Sequence, residues 1–195
     1  MLRIALLVGH LMAFAVALSA VLRGDALILR AARLHSAPLR QISRQVAWAL
    51  LLLVVTGFGL VALDTGFVPA RMAANPKLLV KLSVIAVLML NALALHRWAF
   101  PALMSRQSGS RWAPGWVCVA GAVSTTSWLF ATFVGVARPL TSELGYVGFM
   151  SLYGVCLVVA IAVAWVWVRP RISRLMHQRA AASALLSSTD WRLAA

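Results

Sequence analysis

The hydrophobic positions of this chain fall into five long runs, which short polar segments separate. Crossing about 30 Å of hydrocarbon at 1.5 Å per residue takes about 20 helical residues, and each run approaches or reaches that length. Because the bilayer interior has no water to bond the backbone, a spanning run must be a helix. The pattern therefore predicts five transmembrane helices, over residues 4–22, 46–63, 78–95, 117–136 and 146–168.

The composition agrees with this prediction. Of 195 residues, 63% are hydrophobic and 11% are charged, which excludes a single soluble domain with a wetted surface. We expect an all-α polytopic membrane bundle, with residues 1–170 as one transmembrane domain and 171–195 as a basic tail. For the first run, a secretory signal is the alternative, because its apolar core is compact and Ala17 and Ser19 are small.

The basic residues alternate with the predicted topology. Thirteen of the 18 lie on one side, in residues 23–44, 97–111 and 169–192. The positive-inside rule then predicts an external N-terminus and a cytoplasmic C-terminus. Six tryptophans fall near the same cytoplasmic interface, where amphipathic indoles anchor: Trp48, Trp98, Trp112, Trp116, Trp165 and Trp167.

The net charge of +14 has two interpretations, nucleic acid or anionic lipid. Since the charges follow topology, we expect contact with anionic lipid, worth about 1 kcal/mol per residue near the surface, and no nucleic-acid partner. Cys118 and Cys156 fall within predicted spans without metal-finger spacing, which favours packing roles.

Two connections carry local signals. The segment 24–45 is the longest predicted cytoplasmic loop, and its leucines among arginines suggest a short interfacial helix that ends before Pro38. On the other side, Asn75 precedes Pro76, the arrangement of an N-cap followed by the first helical position of span three.

Three polar residues fall at similar depth in the predicted outer leaflet. His10 lies about 12 Å along the first helix, Thr56 is at about the same depth on the second, and Lys81 lies about 7 Å into the third. Ionisable groups in hydrocarbon are costly and mark candidate sites. His10 is either a ligand or proton carrier, or it bonds a neighbouring backbone. Lys81 either neutralises a buried anion or snorkels to the headgroups.

His96 lies at the opposite membrane boundary, beside Arg97 and Trp98. It is a second candidate metal ligand, and the alternative is a hydrated interfacial histidine. The methionines show no clustered spacing typical of a copper conduit.

A family resemblance rests on two stretches, LRQISRQVAWALLLLVVTGFGLVAL and NPKLLVKLSVIAVLMLNALALHRWAFPAL. They resemble the membrane domain of the bacterial copper-resistance protein CopD. Two positions differ: this chain has His96 where the family has an arginine, and Ile42 where the family has an aromatic residue. The matching positions are Arg40, Ser43, Thr56, Gly57, Leu78, Leu79, Lys81, Leu82, Asn91, Pro101 and Leu103.

The order of a histidine, a Thr-Gly pair and a Lys-Leu pair on successive helices is also similar to the HemJ type of protoporphyrinogen oxidase. This second resemblance covers about residues 1–105. It implies a b-type heme with functional roles for His10 and Lys81, and Thr56 bonding nearby. Both resemblances imply a multi-pass protein of the bacterial inner membrane.

Three functions follow as hypotheses. The first is a redox protein with b-type heme between the first three helices and a membrane or periplasmic redox partner. The second is copper transport or resistance, with His10, Met89 or Met150 and a cysteine as candidate soft ligands. The third is a non-catalytic membrane subunit or scaffold, and enzymatic activity is left undecided.

Overall fold

A computed structural model describes residues 1–30, 36–99, 101, 113–137, 139–178 and 181. Within these residues the chain is helical and contains no strand. Two π-helical turns, Leu95–Ala99 and Ala164–Val168, prolong the third and fifth long helices, the latter continuing to Gln178. The helices are α1 (Leu2–Arg30), α2 (Ser36–Thr65), α3 (Pro69–Ala73), α4 (Pro76–Ala94), α5 (Ala113–Val136) and α6 (Thr141–Val163).

The prediction of five spanning helices is confirmed. In the part of the chain that the structure describes, five helices are long and apolar enough to cross a membrane. Each contains one predicted span and extends beyond it. α1, with 29 residues, is about 43 Å long at 1.5 Å per residue and exceeds the hydrocarbon thickness. Which side each terminus faces stays a prediction.

The predicted loop at 24–45 is wrong. Residues 24–30 continue α1 and residues 36–45 begin α2, so the described part of this segment forms no separate interfacial helix. Pro38 lies in the first turn of α2, where a missing N–H removes no intrahelical bond. A helix does not have to end where its apolar residues end, so the arginines after Leu22 did not signal a loop.

The predicted start of the third span is confirmed in detail. Asn75 is the N-cap of α4, and its side-chain oxygen accepts a hydrogen bond from the backbone N–H of Leu78 at 3.1 Å. Pro76 occupies the first helical position, where its fixed φ suits the helix.

α1 and α2 pack antiparallel to each other. An ion pair joins Arg3 to Asp64 at one end (2.8 Å), and Arg23 donates to the side chain of Gln45 towards the other. We call the end with Arg3 and Asp64 the Arg3 end and the other the Arg23 end. Small residues permit the close approach, since a Cβ on Gly24 would lie 3.3 Å from Ile42.

The buried core runs along α1, α2, α4, α5 and α6, while most large apolar side chains on the outer surface are exposed. That distribution suits a bundle surrounded by lipid. The tryptophans predicted at one interface lie on this surface, except for Trp112, which is outside the described residues: Trp48, Trp98, Trp116, Trp165 and Trp167. The Arg169 guanidinium stacks on Trp165, 4.4 Å from its ring centroid.

The predicted tail is described only in part. Residues 171–178 are helical and continuous with α6, whereas 179–180 and 182–195 lie outside the described residues.

Candidate functional site

The predicted outer site lies towards the Arg3 end, between α1 and α2. The His10 imidazole on α1 meets the Thr56 hydroxyl on α2, with 2.9 Å between Nδ1 and Oγ1. His10 is half-buried, and Thr56 is buried. The ring packs directly against α2, since a Cβ built on Gly57 would be in ordinary van der Waals contact with Cε1 of His10, at 3.5 Å. The two residues that the sequence placed at one depth are therefore in direct contact.

The hydrogen bonds around Thr56 assign the tautomer of His10. The hydroxyl oxygen of Thr56 lies 2.7 Å from the Leu52 carbonyl oxygen, which can only accept. Thr56 has a single hydroxyl proton and donates it to Leu52, so it accepts from Nδ1–H of His10. In the neutral ring, Nε2 then carries a lone pair. A histidine with one nitrogen fixed by a hydrogen bond and the other unprotonated is in the form that binds metals.

Lys81 is the third residue that the sequence assigned to this layer. It lies on α4, its side chain is exposed, and it is close enough for its charge to act on the His10 imidazole. The structure thus brings His10 and Thr56 into direct contact, and Lys81 stays the predicted third member of this layer. We refer to His10, Thr56 and Lys81 as the His10 site.

His96 belongs to a different region. Its Nδ1 lies 3.0 Å from the Ala92 carbonyl oxygen, to which Nδ1–H donates, and its Nε2 lies 3.2 Å from the Ser43 hydroxyl. Ser43 and Thr56 are 13 residues apart on α2, which corresponds to about 20 Å along the helix axis. His10 and His96 therefore cannot ligate the same ion.

The described residues contain no group of three or more His, Cys, Asp or Glu side chains that could hold a metal ion. Cys118 is buried and Cys156 partly buried, and both are free thiols. No contact in this part of the chain brings either cysteine to His10.

The sequence prediction missed Asp25. It was assigned to a loop because arginines follow it, but it lies on α1 and accepts a hydrogen bond from Thr125 of α5, with 2.5 Å between the oxygens. The signal was present in the sequence. Gly9, Ala13 and Ala17 form a stripe at four-residue spacing, and two further steps of four reach Asp25.

A second missed feature is a polar pair in the core between α5 and α6. The hydroxyls of Ser127 and Tyr153 are 2.6 Å apart, and both residues are buried. Ser127 also donates to the Val123 carbonyl at 2.6 Å, so Tyr153 must donate to Ser127. This pair is fully bonded, which is typical of a structural element.

The fold and the His10 site together define a class: a polytopic helical membrane protein with an intramembrane histidine held by hydrogen bonding. Comparison of the chain with protein-family models, curated proteins and solved structures gave no match. The CopD-like and HemJ-like resemblances therefore stay predictions from the quoted motifs.

Proposed function

We propose that this chain is a membrane redox protein that binds a b-type heme at the His10 site. The observation that supports this most directly is the bond between Thr56 and Nδ1 of His10, which leaves Nε2 of the neutral ring as a ligand. A nitrogen lone pair on a ring of fixed orientation is what heme iron takes as an axial ligand.

The residues at the site fit such a group chemically. His10 would supply a nitrogen ligand, and Thr56 would hold the orientation of the His10 imidazole. Lys81, which is exposed and near His10, would pair with a propionate. When bound, heme supplies one-electron redox chemistry. The protein contributes the ligand, the orientation of the ring and a compensating positive charge.

The proposal includes location and partners. The CopD-like and HemJ-like motifs support a bacterial inner-membrane protein, and the distribution of basic residues supports an external N-terminus, so the His10 site would lie in the outer leaflet. An electron donor or acceptor in the membrane or the periplasm would then reach it. Anionic lipid would contact the basic face at the Arg23 end.

Absorption spectroscopy of the detergent-purified protein tests the proposal. We expect a Soret band and, in the dithionite-reduced minus oxidised spectrum, an α band, with iron found by metal analysis of the same sample. His10→Ala should abolish both bands. His96→Ala is the matched control and should keep both bands, because His96 contacts Ser43, which lies about 20 Å from Thr56 along α2.

Each other outcome contradicts heme binding at His10. A colourless protein without iron would refute the proposal and favour the scaffold hypothesis. Stoichiometric copper without a Soret band would favour the copper hypothesis. Heme that persists in His10→Ala but is lost in His96→Ala would place the ligand at the other end of the bundle.

A further inference from the structure

A cavity of about 120 Å³ lies among α1, α2, α4 and α5, towards the Arg23 end of the bundle. Its wall is mostly aliphatic, with Val21, Ile42, Leu50 and Leu88 among the lining residues. Its volume is similar to that of cavities in which one benzene ring binds. This cavity is separate from the His10 site, because neither His10 nor Thr56 lines it.

Asp25 brings a carboxyl group into this apolar wall. Its hydrogen-bond partner among the described residues is Thr125, and no cationic side chain in that part of the chain lies within ion-pair distance of it. A carboxylate in low-dielectric surroundings is costly unless a proton or a cation neutralises it. Acidic groups inside membrane bundles therefore mark sites that bind protons or cations.

Trp128 provides an aromatic wall of the same cavity. It is 2% exposed, and Phe14 packs against its indole with 5.4 Å between ring centroids. Thr125, which bonds Asp25, is three residues before Trp128, so both point from the same face of α5. An indole attracts a cation near its ring, most strongly where water is excluded. Trp128 is almost fully covered, so the carboxyl group of Asp25 is the primary contact for an ammonium ion and the adjacent indole adds to the attraction.

The other polar groups of the wall do not oppose a cation. Asn91 donates its amide N–H to the Ala120 carbonyl at 3.0 Å. His96 donates Nδ1–H to the Ala92 carbonyl, and a neutral ring accepts from Ser43 at Nε2. Among the described residues of the lining, Asp25 is thus the acidic group available to a cation.

We propose that this cavity binds a small organic cation, an ammonium group attached to an apolar body the size of one ring. The ammonium would lie against the Asp25 carboxylate and the Trp128 indole, and the apolar body would fill the aliphatic part of the cavity. The proposal does not depend on heme at the His10 site.

Benzylamine and benzyl alcohol test it, because they have the same shape and differ in charge. Calorimetric titration of the full chain in detergent, with protein-free micelles as the blank, should show saturable benzylamine binding at least about tenfold tighter than benzyl alcohol, or about 1.4 kcal/mol. Asp25→Asn keeps the side-chain shape and should remove the preference for the amine. Asp64→Asn, at the exposed ion pair of the other end, is the control and should retain it.

A cavity-filling variant gives an independent test. Gly121 lines the cavity, and a Cβ built there meets no atom within 4 Å, so Gly121→Val should fill space and weaken benzylamine binding at least about tenfold. Equal affinity for the two probes, a preference that survives in Asp25→Asn, or no saturable binding would each overturn the proposal. If Asp25→Asn does not show the helical circular dichroism of the wild type, the test rests on Gly121→Val. Benzylamine affinity equal to wild type in that variant would then overturn the proposal.

Discussion

Replacing Thr56 with valine tests the hydrogen bond on which the assignment of His10 rests. Valine has nearly the shape of threonine and lacks the hydroxyl, so the 2.9 Å contact with Nδ1 is lost while packing against α1 is kept. A neutral hydrogen bond contributes about 1 kcal/mol net. Since about 1.4 kcal/mol corresponds to a factor of ten, we expect the Nδ1–H form of His10 to lose about fivefold in population relative to the Nε2–H form.

Nuclear magnetic resonance of protein with ¹⁵N-labelled histidine, prepared without cofactor, measures this ratio directly. Protonated and unprotonated ring nitrogens have well-separated ¹⁵N shifts, and His10→Ala assigns the signals of His10. Wild type should show Nδ1 protonated and Nε2 unprotonated, and Thr56→Val should shift the population towards Nε2–H. Thr56→Ser, which keeps the hydroxyl, should resemble wild type. A wild-type ring protonated at Nε2 would refute the assignment, and an unchanged ratio in Thr56→Val would show that Thr56 does not determine it.

Two further predictions concern stability, measured by reversible unfolding in detergent. Ser127→Ala should lower the free energy of unfolding by about 1–3 kcal/mol, because it leaves the buried Tyr153 hydroxyl without its acceptor. Tyr153→Phe should lower it less, by about 0.5–1.5 kcal/mol, because Ser127 keeps its bond to Val123. The reverse order would contradict the donor assignment. Gly115→Ala should destabilise by about 0.5–2 kcal/mol, because the new Cβ would stand 3.1 Å from the Trp165 ring and this overlap exceeds the gain of about 1 kcal/mol in helix propensity. Recovery of stability in Gly115→Ala with Trp165→Leu would identify that overlap as the cause.

The two polar regions of the bundle are of different kinds. The His10 site combines an imidazole with an exposed lysine, so it offers a nitrogen ligand and a positive charge. The cavity at the other end combines a carboxyl group with an indole, which suits a positive ligand. α1 carries both His10 and Asp25, and the two regions therefore lie about 22 Å apart along this helix at 1.5 Å per residue.

Helix termini show how far local information extends. Asn75 and Pro76 specified the start of α4, because an N-cap depends only on residues within one turn of it. The end of α1 was not specified in this way. Hydrophobicity ends near Leu22, but the helix continues to Arg30, because the backbone bonds itself equally well in headgroups or water.

The sequence by itself determined the five apolar helices, because a chain with 63% hydrophobic residues in runs of this length can satisfy its backbone in lipid only as helices. It also placed His10 and Thr56 at one depth, since depth is a count of residues along a helix of fixed rise. Only the tertiary structure decided which side chains face each other across helices. The bond from His10 to Thr56, the pairing of Asp25 with Thr125 and the cavity beside Trp128 depend on helix rotation and crossing, which are set by packing between segments far apart in the chain.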